Sequence, residues 1–172
     1  MARWVALADI MRPHGISGEL RLRLYNAESE LLQSASQVLV RERSGAETKR
    51  AVEWMRPAAA GHLLAKLEGV ESREAAGALR GGVVCMDRDA FAALEENEFY
   101  ACDVVGALLV GPEGELGTVE ALQSYPSADV LLVRSEKDKK RVEIPLVDDF
   151  VDRVDVARKM ILVRSAALQF FE

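Results

Sequence analysis

His14 and Ser17 stand three residues apart in the run Arg12-Pro13-His14-Gly15-Ile16-Ser17-Gly18-Glu19-Leu20. An imidazole and a hydroxyl so close in sequence raise the question of nucleophilic catalysis. That chemistry needs the base within hydrogen-bond reach of the nucleophile and an orienting acid behind the base. The neighbouring residues supply no such set and point to backbone geometry instead. Pro13 fixes its own φ and pushes Arg12 toward extended backbone. Gly15 and Gly18 permit left-handed or crowded conformations. The run reads as a strand, a rigid turn and a second strand. Arg12, His14, Arg21 and Arg23 are its candidate contact residues, the arginines as point contacts to phosphate. Arg21 and Arg23 equally suit a solvated strand face.

Other chemistry-bearing residues form no set. Cys85 and Cys102 lie far apart and make neither a CxxC pair nor a disulfide framework, so both are expected as small buried hydrophobes. His14 and His62 have no partner at metal-ligand spacing. Asp148, Asp149, Asp152 and Asp155 lack the glycine-centred loop and closing Glu of a calcium hand, and read as solvated charge or a face for a basic partner. The stretch Gly111-Pro112-Glu113-Gly114-Glu115-Leu116-Gly117 has neither a following helix nor a Lys, so it is a hairpin turn and not a phosphate cradle. No cofactor, no metal and no catalytic residue is expected.

The charge is unevenly placed. The 172 residues carry a net charge of −6. Residues 1–95 hold 13 basic and 13 acidic side chains, and residues 96–172 hold 9 and 15. An acidic surface repels phosphate and attracts basic protein. The first half is therefore the better candidate for RNA and the second for a basic protein. Apolar residues at 49 % and charged residues at 29 % are globular values. No basic segment leads an apolar run at the N-terminus, and no stretch approaches a membrane span of about 20 apolar residues, so the expected location is the cytoplasm.

The elements that would position these residues are mostly strands. Trp4–Met11 is apolar and strand-length. In Glu19–Tyr25, Leu20, Leu22 and Leu24 alternate with Glu19, Arg21 and Arg23, which places them on opposite faces. Gln37–Arg43 and Thr48–Met55 flank Ser44-Gly45 as a hairpin. Gly61–Leu67 and Gly82–Met86 complete the first half. Ser72–Leu79 reads as a helix capped by Ser72 and stopped by Gly81-Gly82. Asp87–Glu96 reads as a second short helix connecting two domains. Beyond it, Val104–Val110, Glu115–Leu122, Asp129–Arg134, Arg141–Ile144 and Met160–Val163 form a second β series. Phe99 and Tyr100 open that series. In extended backbone their rings point to opposite sides, so one suits the core and the other a partner. Burial of both is the equal alternative.

The chain resembles the bacterial ribosome maturation factor RimM family. The resemblance lies in Arg12–Leu20, in Leu67-Glu68-Gly69-Val70-Glu71-Ser72-Arg73-Glu74-Ala75-Ala76 with Leu79 and Gly81, in Glu98-Phe99-Tyr100 with Asp103-Val104-Val105-Gly106, and in Gly117-Thr118-Val119, Asp129–Val133 and Ile144-Pro145. It implies an all-β chain of two small barrels. A six-stranded, translation-factor-like barrel would occupy residues 1–88, a linker helix 89–97, and a PRC-type barrel 98–172. It also implies a monomeric, non-catalytic assembly chaperone. The partner would be the immature small ribosomal subunit, bound through head protein uS19, and the process served 16S rRNA processing. Phe99 and Tyr100 map onto the family's partner-binding aromatic pair, with Phe99 where Tyr is usual. Leu146-Val147-Asp148-Asp149 and the ending Arg164–Glu172 depart from the family pattern. The rival readings are a PRC-barrel adaptor with no ribosomal role and a barrel enzyme using a nucleotide or flavin.

Overall fold

The computed structural model describes residues 3–27, 29–92 and 99–172. The chain divides into two compact units, Met1–Ala93 and Leu94–Glu172. In the first, β1 (Trp4–His14), β2 (Glu19–Leu24), β3 (Gln37–Arg41), β4 (Glu47–Pro57), β5 (His62–Leu67) and β6 (Val83–Asp87) pair in the order β1-β2-β5-β4-β3-β6. The antiparallel pairing of β6 with β1 closes the barrel, which leaves no open edge. The alternation read in β2 is realised: Leu20 and Leu22 are fully buried while Arg23 is exposed. Ile10, Val38, Leu63, Leu67 and Met86 fill the same interior.

One register shift matters for the site. The β1–β2 pairing runs Ile10↔Leu22 and then Arg12↔Arg21, so Met11 is the extra residue of a bulge. The bulge brings Arg12 to the outer face, opposite Arg21. Between β5 and β6, α1 (Arg73–Ala78) forms as its sequence suggests. The Ser72 hydroxyl accepts the Ala75 N–H at 3.1 Å, and Gly81 follows the helix with φ +81.

The connector is a correction. β6 runs through Asp87, which pairs with Trp4. The Asp87 carboxylate then accepts the Asp89 N–H at 3.1 Å and caps a single 3-10 turn, Arg88–Ala90. Phe91 is extended (φ −65, ψ 147) and buried. A strand end and one capped turn thus replace the first half of the expected helix. The remainder of that helix and of the linker, residues 93–97, lies outside the described residues.

The second unit opens with α2 (Ala101–Val104), where the apolar run Val104–Val110 had suggested strand alone. Buried Asp103 explains the difference: its carboxylate accepts the Tyr100 N–H at 3.3 Å and stabilises one helical turn. The sheet comprises β7 (Leu108–Gly111), β8 (Gly114–Ser124), β9 (Asp129–Ser135), β10 (Arg141–Pro145), β11 (Val151–Asp155) and β12 (Met160–Val163), ordered β10-β9-β8-β7-β12-β11. It curls into a half-barrel, the PRC-type architecture. β12 and β7 run parallel, and the other pairs run antiparallel. The divergent C-terminus forms a 3-10 segment, Ser165–Phe171, that packs against β10 and β7. Ala167 is fully buried in the core, and Phe170 meets Phe150 edge to face at 5.0 Å.

Gly18 is the glycine on which the first unit is least forgiving. Its φ is +95, and a Cβ there would lie 2.0 Å from the Val70 carbonyl oxygen. Gly45, with φ +91, has open space around the same position. Gly45→Ala should destabilise by about 1 kcal/mol, the conformational term alone, and Gly18→Ala by about 3 kcal/mol or more. Urea unfolding followed by tryptophan fluorescence tests this in the barrel alone, because Trp4 and Trp54, the two tryptophans of the chain, both lie in it. Equal shifts for the two variants would refute the crowding argument.

Candidate functional site

Two surfaces collect the candidate residues. The first is the β1–β2 turn of the barrel. Gly15 (φ +73) and Gly18 reverse the chain, and the Ser17 N–H donates to Glu19 Oε2 at 3.2 Å. The turn is braced from two sides. Gly18 sits against the Val70 backbone, and the Arg73 guanidinium donates to the Gly15 carbonyl at 2.9 Å. Pro13 lies beside Gly77 of α1, its Cγ 3.8 Å from where a Cβ would stand. Beneath, Lys66 is buried, and its ammonium donates to the Val70 carbonyl and pairs with Glu71 at 3.3 Å. The result is a rigid turn whose tip, Ile16, is 82 % exposed. His14 makes no hydrogen bond to Ser17; it faces Glu19 across the hairpin.

The arginines of this surface differ in availability. Arg23 is held by Asp9 at 2.7 Å, and the Tyr25 hydroxyl donates to the other Asp9 oxygen at 2.7 Å. Those two hydrogen bonds hold the Asp9 carboxyl below its ordinary range. Burial first, and the bond to Asp9 second, push the Tyr25 phenol up to about 12. Arg12 and Arg21 meet no acid among the described residues. The structure therefore brings Arg12 and Arg21 together and assigns Arg23 to an internal pair.

The second surface belongs to the half-barrel. Phe99 packs against its core, while Tyr100, half-buried, leads into α2. Of the basic side chains here, Arg134 and Arg141 share Glu120, Lys139 meets Glu136, Lys140 meets Asp138, and Arg164 meets Asp152 at 3.0 Å. Arg153 and Arg158 both approach Asp155. Asp152 and Asp155 are therefore met by arginines, while Asp148, Asp149 and Asp152 are exposed, as expected of solvated charge. Glu113, Glu115, Glu143, Asp148 and Asp149 have no basic partner among the described residues and carry the unit's excess negative charge. Gly111, Pro112, Asp149 and Asp152 border an open hollow of about 560 Å³. Cys85 is fully buried, with its thiol pushed up by desolvation, but Cys102 on α2 is half-buried, with its sulfur 3.8 Å from Asp103.

Comparison with known proteins fits both units. The family model of the RimM N-terminal domain matches residues 5–91, and that of the RimM PRC barrel domain matches residues 101–166. A protein of Sorangium cellulosum named ribosome maturation factor RimM is 46 % identical over 160 residues, covering 92 % of this chain and 93 % of its own. The chain belongs to the ribosome maturation factor RimM family. A Myxococcus xanthus protein of the same name is 32 % identical, with 93 % of this chain and 85 % of its own covered. The solution structure of the N-terminal domain of RimM from Thermus thermophilus is 27 % identical, covers 54 % of this chain and 99 % of its own, and superposes with a TM-score of 0.43.

The RimM N-terminal match coincides with the closed barrel, and the PRC match begins at α2, directly after Phe99-Tyr100. Glu98 lies outside the described residues. Three features of the first RimM unit escape a reading of the sequence: the exposure of Ile16, the brace from Arg73, and the stacking of Arg56 over Trp54 at 4.9 Å. An apolar residue isolated between two glycines was the available signal for Ile16. The Arg73 brace depends on a partner 58 positions away, whereas Arg56 and Trp54 sit two apart on β4, a spacing that puts them on one face.

The Asp9 site sets a pH test. A depressed carboxyl pKa stabilises the fold above the ordinary carboxylate range, and that contribution is lost as pH falls through the lowered value. A raised phenol pKa stabilises below pH 10.0, its ordinary value, and is lost as pH rises through about 12. Alkaline titration of tyrosine absorbance should show a phenol titrating near 12 that disappears in Tyr25→Phe and moves down in Asp9→Asn. An unchanged profile in both variants would dissolve the assigned triad.

Proposed function

We propose that the chain is a non-catalytic assembly chaperone for the small ribosomal subunit, working as a monomer in the cytoplasm. Its domains run over residues 1–88 and 98–172, joined by 89–97. The PRC domain docks on uS19 in the head of the immature subunit and assists head assembly and 16S rRNA processing. The observation that carries this reading is that two RimM family models cover the two units in order. The charge pattern supports it: the half-barrel pairs most of its basic side chains with its own acids and leaves other acids exposed, which steers a basic ribosomal protein. Phe99 and Tyr100 supply the apolar anchor, and of the two Tyr100 is the partner-facing ring, since Phe99 is committed to the core. Binding that favours the RNA-binding state of uS19 shifts the head toward its folded form, which requires differential affinity and no reaction. The barrel turn, with Arg12, His14, Arg21 and Arg23 as candidate contacts and Pro13, Gly15 and Gly18 as its frame, lies against rRNA or a neighbouring protein.

Tyr100→Ala is expected to weaken association with immature small subunits by about tenfold or more, and Phe99→Ala with Tyr100→Ala to abolish it. Co-sedimentation reads this out, with circular dichroism to establish folding. Pull-down against dissociated small-subunit proteins should capture uS19 selectively and less well as salt rises. A folded double variant that co-sediments at the wild-type level would overturn the assignment of the aromatic pair. Failure to capture any ribosomal protein would leave the PRC unit as an adaptor for another partner.

A further inference from the structure

We infer that one outer face of the barrel is a strip for the sugar-phosphate backbone of RNA, built by Arg12, Arg21 and Arg56 across four strands. The inference rests on the ribosomal reading above and names the ligand chemistry of its first domain. The register places these residues in a single row. Arg12 of β1 lies opposite Arg21 of β2, Arg21 opposite Leu64 of β5, and Leu64 opposite Arg56 of β4. Residues directly paired on adjacent strands share a face, so the three guanidinium groups belong to one surface. Leu64, 8 % exposed, stands in the row between Arg21 and Arg56. With strands about 4.8 Å apart, the row spans about 14 Å. That is the axial length of about four stacked nucleotides.

The electrostatics of the row calls for an external anion. Like charges directly opposite in a sheet destabilise it. Arg12, Arg21 and Arg56 nevertheless meet no carboxylate among the described residues. Two other arginines of the barrel do find acids, Arg23 with Asp9 and Arg41 with Glu47, both at 2.7 Å. Asp9 is already held by Arg23 and Tyr25, and Glu71 by Lys66, while Glu19 accepts the Ser17 N–H. The row itself is therefore positive even though the barrel half of the sequence is neutral. The Arg56 guanidinium carbon lies 4.9 Å from the Trp54 ring centroid, a cation–π contact that restrains the side chain before any ligand arrives. A rigid row of spaced, unpaired guanidinium groups matches a polyanion of regular charge spacing. Trp54 and Arg56 come from β4, more than thirty residues from the turn that carries Arg12, so the strip exists only once β1, β2, β5 and β4 are paired.

The test is binding of the full chain to a labelled single-stranded RNA of roughly twelve nucleotides, by fluorescence anisotropy from about 50 to 200 mM salt. Arg21→Gln and Arg56→Gln should each weaken binding and reduce the slope of log affinity against log salt by about 0.7, and the triple Arg12→Gln, Arg21→Gln, Arg56→Gln by about 2. The charge-neutral pair Arg41→Gln with Glu47→Gln should bind as wild type. Arg21→Gln should leave the urea midpoint unchanged or raise it, which separates lost binding from lost folding. Wild-type affinity and slope in the triple variant would overturn the strip, as would equal competition by polyglutamate and by RNA of the same charge. A wild-type chain that co-sediments with immature subunits but binds no free RNA at low salt would also overturn the strip, while leaving the proposed function standing. Failed co-sedimentation with RNA binding that depends on the three arginines would do the reverse.

Discussion

The Val70 carbonyl is where the loops of the barrel are tied together. It receives the buried Lys66 ammonium from below, and Gly18 closes on it from the side so tightly that no other side chain fits. A buried ammonium without acceptors is strongly unfavourable, so the carbonyl and Glu71 are conditions for Lys66 to be there at all. Once Val70 is held, α1 starts where it does, Arg73 reaches the Gly15 carbonyl, and the β1–β2 turn has one conformation. The exposure of Ile16 and the placement of Arg12 follow from that chain of contacts. An interface residue on an over-determined turn loses little freedom on binding, which favours recognition.

The half-barrel solves a different problem. Its sheet is open, with β10 and β11 as edges, and edges invite unwanted pairing. The C-terminal 3-10 segment packs on β10 and β7 and sends Ala167 into the core. The ending Arg164–Glu172 thus supplies core packing, and Phe150 meets Phe170 from it. Its Arg164 guanidinium also donates to the Asp148 carbonyl at 2.8 Å, which ties the ending to the Leu146–Asp149 stretch.

The two units differ in which charges their own ion pairs cancel. In the half-barrel the basic groups are mostly consumed by acids or by backbone carbonyls, such as Lys159 on Val105, and acids are left over. On the barrel's outer face Arg12, Arg21 and Arg56 meet no carboxylate among the described residues and are left over. Opposite surpluses on the two units suit the two components of a ribonucleoprotein, basic protein and anionic RNA. Neither surplus equals the formal charge of its half of the sequence, because pairing decides what remains for a partner.

The sequence by itself determined the all-β class, the family, the strands of the barrel almost to their ends, and the capped α1. These rest on period-two alternation, on turn glycines and on a Ser N-cap, all local interactions that neighbours in the chain can specify. It also marked Pro13, Gly15 and Gly18 as a rigid turn. It did not determine α2, which depends on buried Asp103 accepting the Tyr100 N–H, nor the role of the C-terminal segment, which has meaning only against β10. The expected helix start at Asp87 shows the same limit: helix-forming residues there yield to the pairing of Asp87 with Trp4, more than eighty positions away. Tertiary structure alone decided that Arg23 is spent on Asp9 while Arg12, Arg21 and Arg56 share a row. Register and closure set those distances, and composition cannot express them.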